Sequence, residues 1–526
     1  MSRRARLGWV LLHVGATFLA FPQPWGDGSI DLGPVLAYAV PLTALLALRG
    51  LSVRRAAMLG FVQGNLALAA VIHWFFVVTH DYGHAPFILG LLAPLGGAMY
   101  GGLFQAIWAA GFAFLARRGA VSIWVLAALW AALDHGRSFF LGGFTWGTLG
   151  YAQHGSPVLA LAPWTGVFGL SFVTVVASLA GFACFAPERA KAFGLGGRRA
   201  GAMTLAGVLL LVAAARVVWP NPPEQETVSV AVLQGNIEQG VKWSPDWAER
   251  TLEIYDGLTR RAAEEGAALV VWPETAVPGS PDGDPELMER LVALAKETGT
   301  TLIVGAVGVE WRAGEEGPRL FDSAYVLSAE MEPARYDKSH LVPFGEYLPL
   351  RSLLGRFIRA LATGSAGRDV TAGPGPRVLI ALGPDGEAIP VGIPICYELL
   401  FPDLVRQFAA GGARVLLAIT NDAWYGRTGA PYQFLAITAL RAAETGLWVA
   451  RAANTGVSAT IDERGRVRDR TAIFETDLLV GAVPLRHPDR GMTFYVRHGN
   501  VFAWTCWAAV LGWLVRARRL PFEDSR

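Results

Sequence analysis

Charged side chains and cysteines are both scarce in this chain. Only 17% of its 526 residues are Asp, Glu, Lys or Arg, against about a quarter in ordinary soluble domains. The three cysteines, Cys184, Cys396 and Cys506, form no Cys-x-x-Cys pair, which excludes a disulfide framework and a cysteine zinc site. The net charge is only +2, so nothing in the charge balance favours nucleic-acid binding. A purely soluble enzyme is disfavoured.

Apolar residues are abundant, and they are grouped. Hydrophobic residues make up 53% of the chain, and the mean hydropathy is +0.37. A helix needs roughly 17 to 25 mostly apolar residues to cross a bilayer. The charge-poor stretches therefore predict eight membrane-spanning helices, at about 7–25, 32–48, 56–78, 84–116, 119–134, 157–186, 200–219 and 499–515.

The basic residues predict how these helices are oriented. They cluster at residues 3–6, 49–55, 117–118, 189–199 and 516–519. In an eight-span arrangement every one of these clusters lies on the same side of the membrane. Lys and Arg are enriched in cytoplasmic loops, so we expect both termini inside and the region between about 220 and 495 outside.

Residues 220–495 have a different pattern, in which short apolar runs alternate with charged helical segments. Strands are predicted at Val228–Leu233, Ala268–Trp272, Thr301–Val307, Ser323–Ser328, Ile389–Ile395, Arg414–Thr420, Trp448–Ala453, Ser458–Asp462 and Leu478–Pro484, and helices at 244–265, 285–298, 400–411 and 431–445. Continuous apolar strands between helices are typical of an α/β fold whose sheet is covered on both faces. The Pro-rich segment Pro220–Pro223 reads as a linker. Three parts are thus predicted: 1–219, 220–495 and 496–526.

Three segments of the outer region carry residues suited to acyl transfer. Glu274 ends Val-Val-Trp-Pro-Glu, Lys338 lies in Asp-Lys-Ser-His-Leu-Val-Pro-Phe-Gly-Glu, and Cys396 lies in Ile-Cys-Tyr-Glu. Ligands of open α/β sheets bind beyond the carboxyl ends of strands, so these side chains are expected to converge. A carboxylate can take the proton of a thiol, and a fixed ammonium can stabilise the oxyanion that forms when the thiolate attacks a carbonyl. His340 is expected to be structural.

These motifs resemble the nitrilase, or carbon–nitrogen hydrolase, superfamily. With the predicted spans, the chain is similar to the apolipoprotein N-acyltransferase family within it, and segments 141–153 and 162–169 resemble that family's membrane-loop motifs. The resemblance implies a polytopic α-helical membrane protein with an inserted extracytoplasmic αββα sandwich. It implies the bacterial inner membrane, with the catalytic domain on the periplasmic side.

The resemblance also implies a reaction. A fatty acyl chain would move from a membrane phospholipid, through a thioester on Cys396, to the α-amino group of the diacylglyceryl-cysteine of an apolipoprotein. It implies no cofactor and no metal, and a monomer is the default.

Roles for individual residues follow from the resemblance. Glu274 is implied as the general base, Lys338 as the oxyanion stabiliser and Cys396 as the nucleophile. Supporting roles near the thiol fall to Glu346, Tyr397 and Glu398, and substrate contacts to Asn421, Trp424, Tyr425 and Trp146. The sequence departs from the usual pattern at Phe434, where a His is usual, at Thr145, where a Pro is usual, and at Asp134, where a Glu is usual.

Two other functions fit parts of the sequence. A membrane-anchored amidase acting on a small soluble substrate would use the same three residues, although one span would suffice to anchor it. A transporter would carry the outer region as a non-catalytic domain. Transport sites within spans usually contain ionisable groups, and the predicted spans have almost none apart from Asp134.

Overall fold

The N-terminal part of the chain is helical. The computed structural model describes residues 1–26, 28–218, 226–314, 317–348, 369–489 and 491–520, so the predicted linker Pro220–Pro223 lies outside the described residues. The helices are α1 (Arg3–Leu19), α2 (Gly33–Leu36), α3 (Ala39–Ala47), α4 (Val53–Val71), α5 (Phe87–Ala116), α6 (Ile123–Gly136), α7 (Ala162–Phe185), α8 (Pro187–Lys191) and α9 (Arg198–Val218). Between them lie a hairpin of β1 (Gln23–Trp25) and β2 (Gly28–Ile30) and a π-helix at Val77–Tyr82.

Each predicted membrane stretch contains helix, but the stretches differ in length and apolarity. Among the described residues, three helices are long and apolar enough to cross a membrane: Phe87–Ala116, Pro157–Phe185 and Arg198–Val218. The first predicted span is wrong at its end, because α1 stops at Leu19 and the chain then enters the β1–β2 hairpin. These apolar helices identify a membrane protein.

The outer region contains two sheets flanked by helices. Its strands are β3 (Thr227–Gln234), β4 (Leu269–Val271), β5 (Thr301–Glu310), β6 (Arg319–Leu327), β7 (Ala334–Asp337), β8 (Leu379–Leu382), β9 (Ala388–Gly392), β10 (Val415–Thr420), β11 (Val449–Ala453), β12 (Ala459–Ile461), β13 (Val467–Arg470) and β14 (Asp477–Pro484). Its helices are α10 (Pro245–Glu264), α11 (Pro285–Thr298), α12 (Pro402–Ala410) and α13 (Ala430–Thr445). After these, α14 (Phe494–His498) leads into the apolar helix α15 (Val501–Arg518).

The two sheets repeat one pattern of pairing. The first has the order β14-β3-β4-β5-β6-β7 and the second β8-β9-β10-β11-β12-β13. In each, the first pair is antiparallel, the next two are parallel and the last two are antiparallel. The outer region is therefore built from two sheets with the same strand arrangement.

Alternation along the strands explains how the sheets stack. In β3, Ala231 and Leu233 join a cluster with the apolar faces of α10 and α11, whereas Val230 and Val232 join the core that includes the second sheet. Successive side chains of a strand point to opposite faces, so the first sheet is covered by helices on one face and by the second sheet on the other. With α12 and α13 beyond the second sheet, the layers run α-β-β-α, as predicted.

The predicted strands lie close to the observed ones, with three omissions. The prediction missed β7, β8 and β13, and it extended the β9 strand to Ile395, whereas the strand ends at Gly392. Pro394 has no N–H to continue the ladder, and Ile395 keeps only an isolated bridge to Ile419. The chain is thus free to turn just before Cys396.

The helices α1–α9 form the bundle, and the two sheets with α10–α13 form the outer domain. The bundle contacts the outer domain beside Cys396. The hydroxyls of Thr145 and Tyr151 donate to the carbonyl of Leu400, at 2.6 and 3.0 Å. The backbone N–H of Val167, in α7, donates to the carboxylate of Glu444, in α13, at 2.7 Å. These contacts hold the turn that begins at Cys396, and the helix α13, against the bundle.

Candidate active site

Glu274 lies just after β4, in a turn held very close to the neighbouring strand. Its side chain is buried, and the next residue, Thr275, has a φ of 48°. Non-glycine residues rarely adopt that conformation, and such strain clusters at functional sites. Gly305 of β5 makes the approach possible, because a Cβ there would lie 2.3 Å from the carbonyl oxygen of Pro273 and 2.7 Å from the Cα of Glu274.

Lys338 follows β7 and is surrounded by acids. Its side chain is completely buried. Its Nζ atom lies 2.9 Å from Glu274 Oε1, 2.9 Å from Asp322 Oδ2 and 2.5 Å from Glu346 Oε1. Burial alone acts to lower the pKa of Lys338, but the charges of the three carboxyl groups outweigh it and raise that pKa well above its usual value. Lys338 is therefore a charged ammonium at neutral pH.

Cys396 begins a short 3-10 turn (Cys396–Leu400) at the end of the second sheet. Its φ is 45°, so the nucleophile candidate also has a strained backbone. Burial raises the pKa of the thiol well above the ordinary value, the charge of Glu274 adds to the increase, and Lys338 opposes it. The resting thiol is therefore protonated at neutral pH and needs a base to react.

Glu398 ties the Cys396 turn to the Lys338 segment. One carboxylate oxygen accepts hydrogen bonds from the Tyr336 hydroxyl at 2.7 Å and from the backbone N–H of Ser339 at 2.7 Å. The other accepts from the backbone N–H of Ile395 at 2.9 Å. Glu398 is therefore a hydrogen-bond acceptor that positions the two segments relative to each other.

The side chains of Glu346 and Tyr397 make contacts in different parts of the site. Glu346 contacts the Lys338 ammonium and also accepts a hydrogen bond from the backbone N–H of Val342 at 2.8 Å. The hydroxyl of Tyr397 points away, toward the bundle, and donates to the carbonyl of Gly143 at 3.2 Å. Glu346 thus belongs to the charged cluster around Lys338, whereas Tyr397 anchors the turn Cys396–Leu400 to the bundle segment that contains Gly143.

His340 is structural, as predicted. A ring nitrogen lies 2.9 Å from the carbonyl oxygen of Gly142, and the ring packs against Phe401 with centroids 3.7 Å apart. Burial lowers the pKa of His340, so the imidazole is neutral near pH 7.

The segment after β10 closes one side of the thiol. Asn421 is buried, its backbone acts to lower the pKa of the Cys396 thiol, and its side chain donates to Gln239 at 2.9 Å. The next residue, Asp422, forms a fully buried ion pair with Arg451 at 2.8 Å. The pair fixes the start of this loop, so Asn421 is held in position beside the sulfur.

Aromatic rings from the bundle hold the rest of that loop. The Trp74 ring lies 4.6 Å from that of Tyr425 and 4.7 Å from that of Trp146. Tyr82, on the π-helix, lies 5.8 Å from Trp424. Trp146 is buried and its indole N–H donates to Gln433 at 2.7 Å. These five aromatic residues therefore meet at the junction between bundle and outer domain.

Two site residues were not predicted from the sequence. Asp322 of β6 contacts Lys338 as described above. Lys242 is also buried, and its Nζ atom lies 2.6 Å from Thr275 Oγ1 and 3.1 Å from the carbonyl oxygen of Glu274. Burial lowers the pKa of Lys242 to about 8, against the charges of Glu274, Asp322 and Cys396. Lys242 therefore holds the strained turn that presents Glu274.

The acidic cluster has the donor types of a cation site. Oxygen atoms of Glu274, Asp322 and Glu346 lie within 4.8 Å of one another, and carboxylates are ligands for hard cations. The ammonium of Lys338 contacts all three. The three carboxylates are therefore arranged around the ammonium of Lys338. With the Cys396 thiol, the site offers a carboxylate, an ammonium and a thiol for reaction.

The fold and this site define a carbon–nitrogen hydrolase domain. Residues 229–487 match the carbon-nitrogen hydrolase family model, and residues 15–180 match the N-terminal domain of apolipoprotein N-acyltransferase. A solved amidase of the nitrilase superfamily from Nesterenkonia is similar over 54% of this chain and 98% of its own, at 21% identity and a TM-score of 0.38.

Curated relatives extend the similarity to the whole chain. An apolipoprotein N-acyltransferase of Geobacter metallireducens is 36% identical over 93% of this chain and 90% of its own length. Those of Nitrosomonas europaea and Pseudomonas aeruginosa are 34% and 32% identical, over 95% and 99% of both chains respectively. The chain belongs to the apolipoprotein N-acyltransferase family.

Proposed function

We propose that this protein is an N-acyltransferase that uses a membrane phospholipid as acyl donor and the diacylglyceryl-cysteine of an apolipoprotein as acceptor. The observation that carries the proposal is the position of the cluster around Lys338 and of Cys396, at strand ends that contact a membrane bundle. An amidase for small soluble substrates needs the cluster but not the bundle.

In the first half-reaction Glu274 takes the proton of Cys396 as the sulfur attacks the ester carbonyl of the phospholipid. The thiol is protonated at rest, so proton removal and attack are coupled. The ammonium of Lys338 and nearby backbone N–H groups stabilise the tetrahedral oxyanion. Collapse of that intermediate breaks the carbon–oxygen bond, the lysophospholipid leaves with a proton, and the acyl chain stays on the sulfur.

In the second half-reaction the α-amino group of the acceptor attacks the thioester. Glu274 accepts a proton from the amine, the carbon–nitrogen bond of the amide forms as the carbon–sulfur bond of the thioester breaks, and the proton passes from Glu274 to the departing Cys396 sulfur. Water must be kept from the thioester, because hydrolysis would turn the enzyme into a phospholipase. Burial of Lys338, Glu274 and Cys396 serves that purpose.

The bundle brings the site to the lipid. Each buried methylene contributes about 0.8 kcal/mol, so a long acyl chain does not leave the bilayer for a distant soluble site. We propose eight spans, with both termini in the cytoplasm and the catalytic domain on the periplasmic side of the inner membrane. The parts are residues 1–219, 220–495 and 496–526, and because the proposed catalytic residues come from one chain, a monomer suffices.

Substrate contacts are proposed for the loop and the aromatic junction. Asn421 lies beside the sulfur, and Trp424 and Tyr425 are partly exposed in the same loop. Trp146 supports Tyr425 from the bundle side, with ring centroids 5.8 Å apart. Acyl chains are apolar, so the aromatic side chains of the loop that begins at Asn421 suit them.

Mass spectrometry of the protein isolated from membranes tests the function. Wild type incubated with labelled phospholipid is expected to carry an acyl adduct on Cys396 and to release lysophospholipid. C396S forms no thioester, E274Q nearly none, and K338A loses about a hundredfold or more in rate because the oxyanion loses its cation. C184S, which changes a cysteine in α7, is the matched control and keeps the adduct.

Two outcomes would contradict the proposal. Wild type without adduct or lysophospholipid, but with turnover of small amides, would favour the amidase. A K338A variant with activity close to wild type would remove Lys338 from the oxyanion role.

A further inference from the structure

Asp322 is a buried carboxyl group of the active site to which the reaction above gives no role. It lies in β6 and is 7% exposed. One carboxyl oxygen, Oδ2, contacts the Lys338 ammonium at 2.9 Å, and its backbone carbonyl accepts a hydrogen bond from the Lys338 N–H at 2.8 Å. The other oxygen, Oδ1, is buried and accepts no hydrogen bond from the described residues.

The charges around Asp322 do not balance if every acid is ionised. Glu274 approaches from the turn after β4, Glu346 from the segment after Lys338, and all three carboxyl groups share the one ammonium. Lys242 faces the cluster from the segment before α10, but it bonds the Glu274 carbonyl and the Thr275 hydroxyl rather than a carboxylate. Buried carboxylates this close cannot all ionise, so one retains a proton.

The hydrogen bonds indicate which acid holds it. Glu346 accepts at both oxygens, from Lys338 and from the Val342 N–H. A carboxyl oxygen of Asp322 lies within 4.8 Å of one of Glu274, and Asp322 Oδ1 has no hydrogen-bond donor among the described residues. A proton on Asp322 turns that contact between two acceptors into a donor–acceptor pair.

We propose that Asp322 is a positioning residue that carries a proton at neutral pH and donates it in a hydrogen bond to the carboxylate of Glu274. The inference rests on the proposed function, in which Glu274 is the base. The hydrogen bond fixes Glu274 relative to the thiol. It also limits the carboxylates beside the developing oxyanion to two, Glu274 and Glu346.

The electrostatics of the site agree with this assignment. Burial raises the pKa of Asp322, Lys338 acts against the rise, and the charge of Glu274 adds to it, so the pKa lies far above that of an ordinary aspartate. When the pH rises through that pKa, Asp322 loses its proton and adds a third negative charge. Thiolate and oxyanion are both anions, so acylation of Cys396 slows on the alkaline side.

Asp322→Asn imitates the protonated acid and cannot ionise, so it distinguishes the effect of the proton from that of the negative charge. Its amide N–H donates to Glu274 and its amide oxygen accepts from Lys338, as the protonated acid does. The rate of acyl-Cys396 formation from phospholipid in a single turnover is measured between about pH 6 and pH 10. Wild type is expected to slow by about tenfold per pH unit above the pKa of Asp322. D322N stays within about threefold of the wild-type rate at pH 7 and lacks this decline.

Two further variants, and one substitute for D322N, complete the series. D322A, which lacks both hydrogen bonds, is expected to lose about tenfold or more at pH 7. D477N changes a partly exposed aspartate of β14 in the same sheet, whose side chain accepts from the backbone N–H of Leu478, and it keeps the wild-type profile. D322S, whose hydroxyl also donates, replaces D322N if the asparagine variant does not fold.

A second readout is independent of the acyl substrate. Alkylation of Cys396 by iodoacetamide, followed by mass spectrometry, is expected to titrate at lower pH in D322N than in wild type, because one neighbouring charge is gone. If wild type forms no acyl-Cys396, the proposed function fails, and the alkylation midpoints still decide the role of Asp322. Equal midpoints, a wild-type rate without alkaline decline, or a D322N rate as low as that of D322A would each overturn the inference.

Discussion

At the scale of single residues, the site depends on how Glu274 is presented as much as on the acid itself. The Glu274–Thr275 turn is strained, and Lys242 holds it with two hydrogen bonds from its ammonium. A base must keep its oxygen within hydrogen-bond distance of the proton it removes. Lys242 is therefore expected to act on the reaction through Glu274.

Lys242→Met tests this expectation. The variant keeps most of the buried volume but frees the turn, so kcat is expected to fall by about tenfold or more, with KM within about twofold of wild type. Lys296→Met, which changes an exposed lysine of α11, is the control and leaves both unchanged. Wild-type kcat in the Lys242 variant would show that the turn is held without the lysine.

The sequence predicted the central residues but not the whole cluster. Glu274, Lys338 and Glu346 were predicted because each stands in a motif, and the structure brings them into contact. Asp322 and Lys242 stand in no motif, and a single charged residue beside an apolar run usually lies at the surface. Strand periodicity offered one signal, because Asp322 shares a strand face with Ala324 and Val326, which join the core.

At the scale of elements, the close contact between β5 and the turn after β4 determines where Glu274 lies. Gly305 is essential to that contact because a Cβ there would also lie 2.6 Å from the Thr275 nitrogen. Backbone atoms cannot yield as a flexible side chain can, so the strand and the turn would have to separate.

Gly305→Ala is therefore expected to lower both stability and activity. We expect a loss of about 1–3 kcal/mol in the free energy of unfolding and at least about tenfold in thioester formation. Gly257→Ala is the matched control, because nothing lies within 4 Å of a Cβ at that position of α10, and it should stabilise the helix by up to about 1 kcal/mol. Denaturant unfolding and single-turnover assays measure both effects, and a Gly305 variant that behaved like the Gly257 variant would contradict the explanation.

The elements themselves were predictable where they are long and apolar. The strands in the middle of each sheet were located from their apolar runs, whereas β7, β8 and β13 were missed. All three are edge strands, at the ends of the two sheets. Moreover, β13 is exposed along its whole length. Such strands are fixed by pairing with a neighbour, which a single sequence does not display.

At the scale of the whole molecule, the proposed orientation places the site outside the cytoplasm. In a chain whose native cysteines are replaced by serine, Asp246→Cys adds a thiol to the exposed start of α10, and Ser2→Cys and Ala192→Cys add thiols at exposed positions on the predicted cytoplasmic side. A membrane-impermeant maleimide is expected to label only the Asp246 variant in intact spheroplasts, and all three after lysis. Labelling of Ser2→Cys before lysis would reverse the orientation.

The two matching sheets divide the reactive groups between them. Glu274, Asp322 and Lys338 come from the first sheet, and Cys396 comes from the second. In the proposed mechanism neither half of the domain can remove the thiol proton alone, because the base and the ammonium come from one sheet and the sulfur from the other. A nascent or partly unfolded chain, in which the two sheets have not packed together, is therefore expected to be unreactive toward the surrounding lipids. Acyl transfer requires that both halves of the domain have folded and packed against each other.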